Sequence, residues 1–240
     1  MNNHCAPAYE NIAAEYYDLN RHPTCANFRE LSAKFLAAKL NALPILASVL
    51  EVGAGSSLAA ELLPSDYDLR RLTISDHSPA MLKHSEKWTE FGASLLLTDA
   101  EQLMNIPEKF DGIVASLADP YNTPKFWSGA FSALKENSFL FCTMPSYQWA
   151  TSFRLKTGVN TQSAEFSTMH GLVVVPSLIP RLEKQVAMIE NAGFFLKEFQ
   201  SFGLDSIDGA SVISQKLKTL DNQNLPLLWG FVCANPVISN

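Results

Sequence analysis

No apolar run in this chain approaches the roughly 18 residues that a membrane span needs. The opening "MNNHCAPAYE" lacks the basic-then-apolar order of a secretory leader, so a cytoplasmic protein off the membrane is expected. Charge is also scarce. Only 18% of the residues are charged, against about a quarter in ordinary globular proteins. The balance of 18 Lys+Arg to 24 Asp+Glu leaves a net charge of -6, and no basic run could neutralise several phosphates together. Extended nucleic-acid binding is thereby excluded. Four cysteines, Cys5, Cys25, Cys142 and Cys233, show no paired C-x-x-C spacing and read as reduced thiols. His22 and Cys25 form an isolated H-x-x-C without a second pair, which leaves no metal site to expect. A G-x-S-x-G elbow is missing too, which removes the serine hydrolases.

What the chain does have is a large apolar fraction, 47% of 240 residues, enough for one α/β domain with a substantial core. Apolar runs at 48–52, 69–75, 93–97, 111–117, 138–144, 193–202 and 225–235 read as seven strands. Helical patterns at 27–43, 79–91, 123–135 and 180–192 alternate with them and supply the crossovers that parallel strands require. Between the last two strands, 205–224 reads as a loop and helix too short for an ordinary crossover, which breaks the parallel rhythm. The expected architecture is a doubly wound, mostly parallel seven-stranded sheet. It divides into a helical lid at 1–47, a core at 48–144, an irregular insertion after the fifth strand at 145–179, and the rest of the sheet at 180–240.

The stretch "SVLEVGAGSSLAAELL" (48–63) passes from a strand through two glycines toward a helix, and such a turn lets backbone approach a ligand closely. Nothing like the P-loop Lys follows the glycines, which disfavours nucleoside triphosphates. A dinucleotide fingerprint would place a small residue at position 58, where Leu58 stands, and nicotinamide cofactors fall to second place. An acid, Glu51, precedes Gly53 and Gly55, and it can face a cationic amino group.

With these residues the sequence resembles the class I S-adenosylmethionine-dependent methyltransferases, chiefly their small-molecule branch. The first loop matches the family's acid-x-Gly-x-Gly through Glu51, Gly53 and Gly55, with Ser57 in place of a third glycine. "SDHSPAMLKHSEKW" (75–88) is similar to the family's second strand end and turn. By that resemblance Asp76 holds the ribose hydroxyls, His77 lies beside it and Met81 packs near the nucleoside. Asp99 and Ala100 in "LLLTDAEQL" match the pair that contacts the adenine edge. The family's Lys-Pro-Gly-Gly turn before the fifth strand is "LKENS" here, which assigns the turn to Asn137 or Ser138.

The resemblance further implies S-adenosylmethionine as cofactor, a small-molecule methyl acceptor, and a monomer or homodimer. Ser116 begins "SLADPYNTP" (116–124), the segment where acceptors enter in this family, and Ser116 counts with the cofactor-binding residues. Asp119 and Tyr121 are the acceptor-side candidates, with Tyr16 or Tyr17 from "YENIAAEYYDLNRH" (9–22) closing the lid. Asp119, Pro120 and Tyr121 also make a turn by composition alone. Competing readings are a non-catalytic protein on the same scaffold and a nicotinamide-dependent oxidoreductase.

Overall fold

The computed structural model describes residues 5–236; residues 1–4 and 237–240 lie outside, as does the Cys5 thiol expected to be reduced. Seven strands form one sheet in the order β3-β2-β1-β4-β5-β9-β8. They are β1 (Val49–Val52), β2 (Leu72–Asp76), β3 (Ser94–Leu97), β4 (Phe110–Ala115), β5 (Leu134–Pro145), β8 (Phe195–Phe202) and β9 (Leu228–Ala234). The first five are mutually parallel, while β9 runs antiparallel to both β5 and β8. The short 205–224 connection accounts for that reversal, because a parallel return needs a longer crossover.

Period-2 alternation divides the core between the two faces. Val49, Val114, Phe141 and Val232 point to one cluster, and Leu50, Ile113, Leu140 and Phe231 to the other. Helix α2 (Pro23–Asn41) covers the first face with Phe28, Leu31, Phe35 and Leu40 at helical spacing, beginning at a proline whose fixed φ suits a first turn. Helices α5 (Pro124–Ala133) and α7 (Leu182–Asn191) cover the second, through Phe126, Trp127 and Ile189. Thr123 starts α5 by accepting the Phe126 N–H on its hydroxyl.

Several elements depart from the sequence reading. The helix expected at 79–91 is one α turn, α4 (Pro79–Leu82), continued as a 3-10 helix over Lys83–Phe91. After β1 the helix α3 (Ala59–Leu62) is only four residues long. Within 1–47, expected as a helical lid, α1 (Cys5–Ile12) is followed by turns up to residue 21 and then by α2. In the 145–179 insertion, expected to be irregular, α6 (Tyr147–Trp149) runs into a π-helical turn at Ala150–Leu155. An antiparallel hairpin of β6 (Ser163–Thr168) and β7 (Gly171–Pro176) follows. The remaining short helix is α8 (Gln215–Lys218). The expected turn before the interior of β5 is made by Asn137, at φ +60, a left-handed conformation that Asn tolerates better than most residues. No helix among the described residues is long and apolar enough to cross a membrane.

Strand β1 lies between β2 and β4, so the direction of winding switches there. In such sheets ligands bind beyond the carboxyl ends of the strands at that switch.

Candidate functional site

At the carboxyl end of β1 the chain turns through Gly53 and Gly55, at φ +62 and +53. That conformation costs other L-residues roughly 1–2 kcal/mol and costs glycine nothing comparable. Space enforces the same choice. A Cβ on Gly53 would lie 2.5 Å from Tyr121 Cε1, and one on Gly55 would overlap the Tyr17 hydroxyl. Tyr17 Oη accepts the Ser56 N–H at 2.7 Å, and Tyr121 donates to the Val52 carbonyl at 2.8 Å. The N-terminal segment and the loop after β4 are therefore both fastened to the glycine turn.

Glu51 is engaged by the chain itself. Its carboxylate accepts the Leu58 and Ala59 N–H groups at 2.9 and 3.0 Å together with the Ser57 hydroxyl, and it does not line the neighbouring cavity. Burial pushes the Glu51 carboxyl up to about 7, against the opposing pull of those donors. Glu51 closes the amino end of α3, where orphan N–H groups need acceptors. Ser57 completes the arrangement by accepting the Ala60 N–H at 3.0 Å. A serine stands at the third glycine position because its hydroxyl is used twice.

Asp76 ends β2 with one backbone bond on each oxygen, from Gly55 N–H to Oδ2 and from Ser78 N–H to Oδ1, both at 2.9 Å. Burial raises its pKa, with these amides opposing. Ser78 caps α4 by accepting the Met81 N–H and donates to Glu10 at 2.7 Å, which ties α1 to the start of α4. Asp99 likewise caps the turn after β3, accepting the Glu101 N–H at 2.9 Å.

A cavity of about 560 Å³ opens at these strand ends, inside the range of about 300–1,000 Å³ usual for small-molecule sites. Gly53, Asp76, His77, Met81, Asp99, Ala100, Ser116, Tyr16 and Tyr121 all line it. Gly55 does not, since its amide is held by Asp76 and its α-carbon faces Tyr17.

Asp119 is not there either. It lines a second cavity, about 590 Å³, between the N-terminal segment and the 145–179 insertion. Tyr16, His22, Cys25, Leu117 and Pro120 line both cavities and form the partition. Along residues 117–121 the chain thus sends Tyr121 to one side and Asp119 to the other. Leu117 reaches the partition at φ +53, a strained conformation for a non-glycine residue. Thr143 stabilises it, its hydroxyl accepting the Leu117 N–H at 3.0 Å and its carbonyl the Ala118 N–H at 2.9 Å.

Asp119 is 8% exposed and accepts the Ser177 hydroxyl, which itself accepts from Arg154 Nη1 at 2.9 Å. Burial lifts the Asp119 carboxyl to about 6, while the Arg154 charge pulls the other way. His22 is 7% exposed, its Nε2 finds no partner among the described residues, and burial lowers its pKa. No group of three or more His, Cys, Asp or Glu residues suited to a metal ion occurs among the described residues.

Sequence reasoning missed Arg29, Arg154 and Ser177. Arg29 donates to the Ser56 carbonyl at 3.0 Å and to Glu61 at 2.9 Å, bracing the glycine turn beside the first cavity. None of the three carries a local signal, because each acts through a partner distant in sequence.

No protein-family profile matches the chain, and neither does any curated protein. Solved structures do. A methyltransferase dependent on S-adenosylmethionine from Clostridium acetobutylicum ATCC 824 superimposes with a TM-score of 0.64 at 14% identity, over 95% of this chain and 99% of that one. The 1,6-didemethyltoxoflavin-N1-methyltransferase of Burkholderia thailandensis, solved with 1,6-didemethyltoxoflavin and S-adenosylhomocysteine, gives 0.55 at 15% identity over 95% and 88%. An S-adenosylmethionine-dependent methyltransferase from Archaeoglobus fulgidus gives 0.53 at 16% over 85% and 93%. Strand order, the single reversed strand and these superpositions agree: the chain has the Rossmann-like fold of the S-adenosylmethionine-dependent methyltransferases.

Proposed function

We propose that this protein transfers a methyl group from S-adenosylmethionine to a small-molecule acceptor. The observation that carries the reading is the first cavity, where the glycine turn, Asp76 and Asp99 converge at the switch point of the sheet. The donor set suits the cofactor. Each Asp76 oxygen takes one backbone N–H and keeps acceptor capacity, enough for two ribose hydroxyls. Met81, Asp99, Ala100, Gly53 and Ser116 line the same cavity; in this reading Met81 would pack against the nucleoside, Asp99 and Ala100 would meet the adenine edge, Gly53 would pass along the methionine half, and Ser116 would contact the cofactor. Bound there, S-adenosylmethionine supplies a methyl carbon already activated by its sulfonium.

The protein's own part is positioning and exclusion of water. Aligning two partners at about 3–3.5 Å can remove up to roughly 7–11 kcal/mol of barrier. Tyr16, Leu117 and Pro120 line both cavities, and in this reading the acceptor enters from the second so that its reacting atom meets the methyl group at that shared border. The small-molecule ligand bound to the Burkholderia thailandensis neighbour supports an acceptor of that size. Free thiols at Cys25, Cys142 and Cys233 suit a cytoplasmic protein. The test is incubation with S-adenosylmethionine and a fractionated metabolite pool, followed by mass spectrometry. Methylated product should appear in step with S-adenosylhomocysteine; a folded protein that produces neither with any fraction contradicts the proposal.

A further inference from the structure

We propose that the second cavity takes a planar aromatic acceptor carrying an acidic donor, a hydroxyl or ring N–H, directed at Asp119. This rests on the methyl-transfer reading and adds the class of molecule to it. Two aromatic groups line that cavity. Trp149 and Phe153 stack with centroids 5.0 Å apart and planes 8° from parallel, and Phe166 stands 5.7 Å from Tyr16 and 5.4 Å from the His22 ring. Such walls offer ring faces and edges, which a flat π-system uses better than a saturated one.

Among the polar groups that line this cavity, which include Arg21, His22, Arg154, Glu165 and Lys216, Asp119 is the carboxylate next to the residues shared with the first cavity. A carboxylate only accepts hydrogen bonds, so its complement is a donor. Ser177 is the one side chain among the described residues that donates to it, on Oδ2, and Arg154 behind Ser177 fixes that hydroxyl. Held in this way, the carboxylate keeps further capacity for a ligand donor. Its place in the chain decides where that donor would be. Asp119 lies between Leu117 and Pro120, which line both cavities, so an atom held by Asp119 stands beside the wall shared with the first cavity.

The acceptor's attacking atom uses a lone pair to form the new bond to the methyl carbon. The carbon–sulfur bond breaks with its electron pair left on sulfur, and the donor's proton passes to the Asp119 carboxylate. Sulfonium and carboxylate charges are both lost, which suits a buried site.

Three probes test this by calorimetry on protein saturated with S-adenosylhomocysteine: para-cresol, its methyl ether and para-methylcyclohexanol. The expected result is para-cresol binding at least about tenfold tighter than either relative: a site built for a donor rejects the ether, which lacks one, and the aromatic walls favour a flat ring with an acidic hydroxyl over the saturated alcohol. Asp119→Ala should abolish the preference over the ether, and Trp149→Leu the preference over the saturated alcohol, with thermal melts checking that each variant folds. If a variant fails to fold, the ranking on the unaltered protein decides alone. Equal binding of all three probes, or no binding to protein already holding S-adenosylhomocysteine, overturns the inference. Failure of S-adenosylhomocysteine to bind is read separately, in its own titration, and overturns the cofactor reading together with this one.

Discussion

The Gly55 amide donates to Asp76 Oδ2 at 2.9 Å, so the acid that ends β2 holds the turn that follows β1. A single side chain shapes the loop and offers its remaining acceptor capacity to a ligand.

Asp76→Ala should therefore weaken S-adenosylhomocysteine binding about 10- to 100-fold. Hydrogen bonds to a charged group contribute about 1.5–3 kcal/mol each, and every 1.4 kcal/mol is about tenfold. The ligand-induced rise in melting temperature would shrink accordingly. An unchanged rise removes Asp76 from the site.

Gly53→Ala tests the turn. The left-handed backbone there costs alanine roughly 1–2 kcal/mol, and the new methyl meets the Tyr121 ring. Melting temperature and cofactor affinity should fall together, because Tyr121 has to leave the Val52 carbonyl to make room. Wild-type affinity in this variant would mean that the Tyr121 contact is dispensable.

Ser57→Ala leaves Glu51 with its two backbone donors but removes the cap on Ala60. Loss of a capping hydroxyl costs about 0.5–2 kcal/mol, and for a chain of this size each kcal/mol shifts the melting temperature by roughly 2–4 °C. Calorimetric melting checks the shift. Ser57→Gly should fare no better, although it restores the family's third glycine.

Asp119 gives a pH signature. Its carboxyl rises from an ordinary value of 3.8 to about 6 because burial disfavours the charge, while Arg154 opposes. The other titratable groups in its field are Tyr16, Cys25, Tyr121 and Cys142. The folded state binds this proton more tightly than the unfolded chain, so the stability penalty is absent below pH 3.8, grows as pH rises toward 6, and is constant beyond. Its full size is about 3 kcal/mol. Denaturant unfolding of the wild type and Asp119→Asn across that window should show the stability difference moving in the variant's favour as pH rises. A pH-independent difference would contradict the burial of a charged Asp119.

Much of this was legible in the sequence, for reasons that particular residues make plain. Alternation in Val49, Leu50, Ile113 and Val114 announces strands buried on both faces, and Asp76 through Met81 reads as a strand end followed by a capped turn. The direction in which Glu51 points was not legible, because the amino end of α3 competes for its oxygens and local sequence does not rank the two. The second cavity was invisible for a different reason. Its walls come from the N-terminal segment, the 117–120 loop, the insertion and residues around Lys216, which only the fold brings together. The β6 and β7 hairpin is only half legible: 171–175 is an apolar run, but its partner Ser163–Thr168 alternates too weakly to stand out.

The most direct measurement is a calorimetric titration of the purified protein with S-adenosylmethionine, run beside an identical titration with NADH. One-site binding of S-adenosylmethionine and no heat from NADH is the result predicted by a cavity built on Asp76, Asp99 and the Gly53 turn. Saturable binding of NADH with none of S-adenosylmethionine, or silence from both, would contradict it.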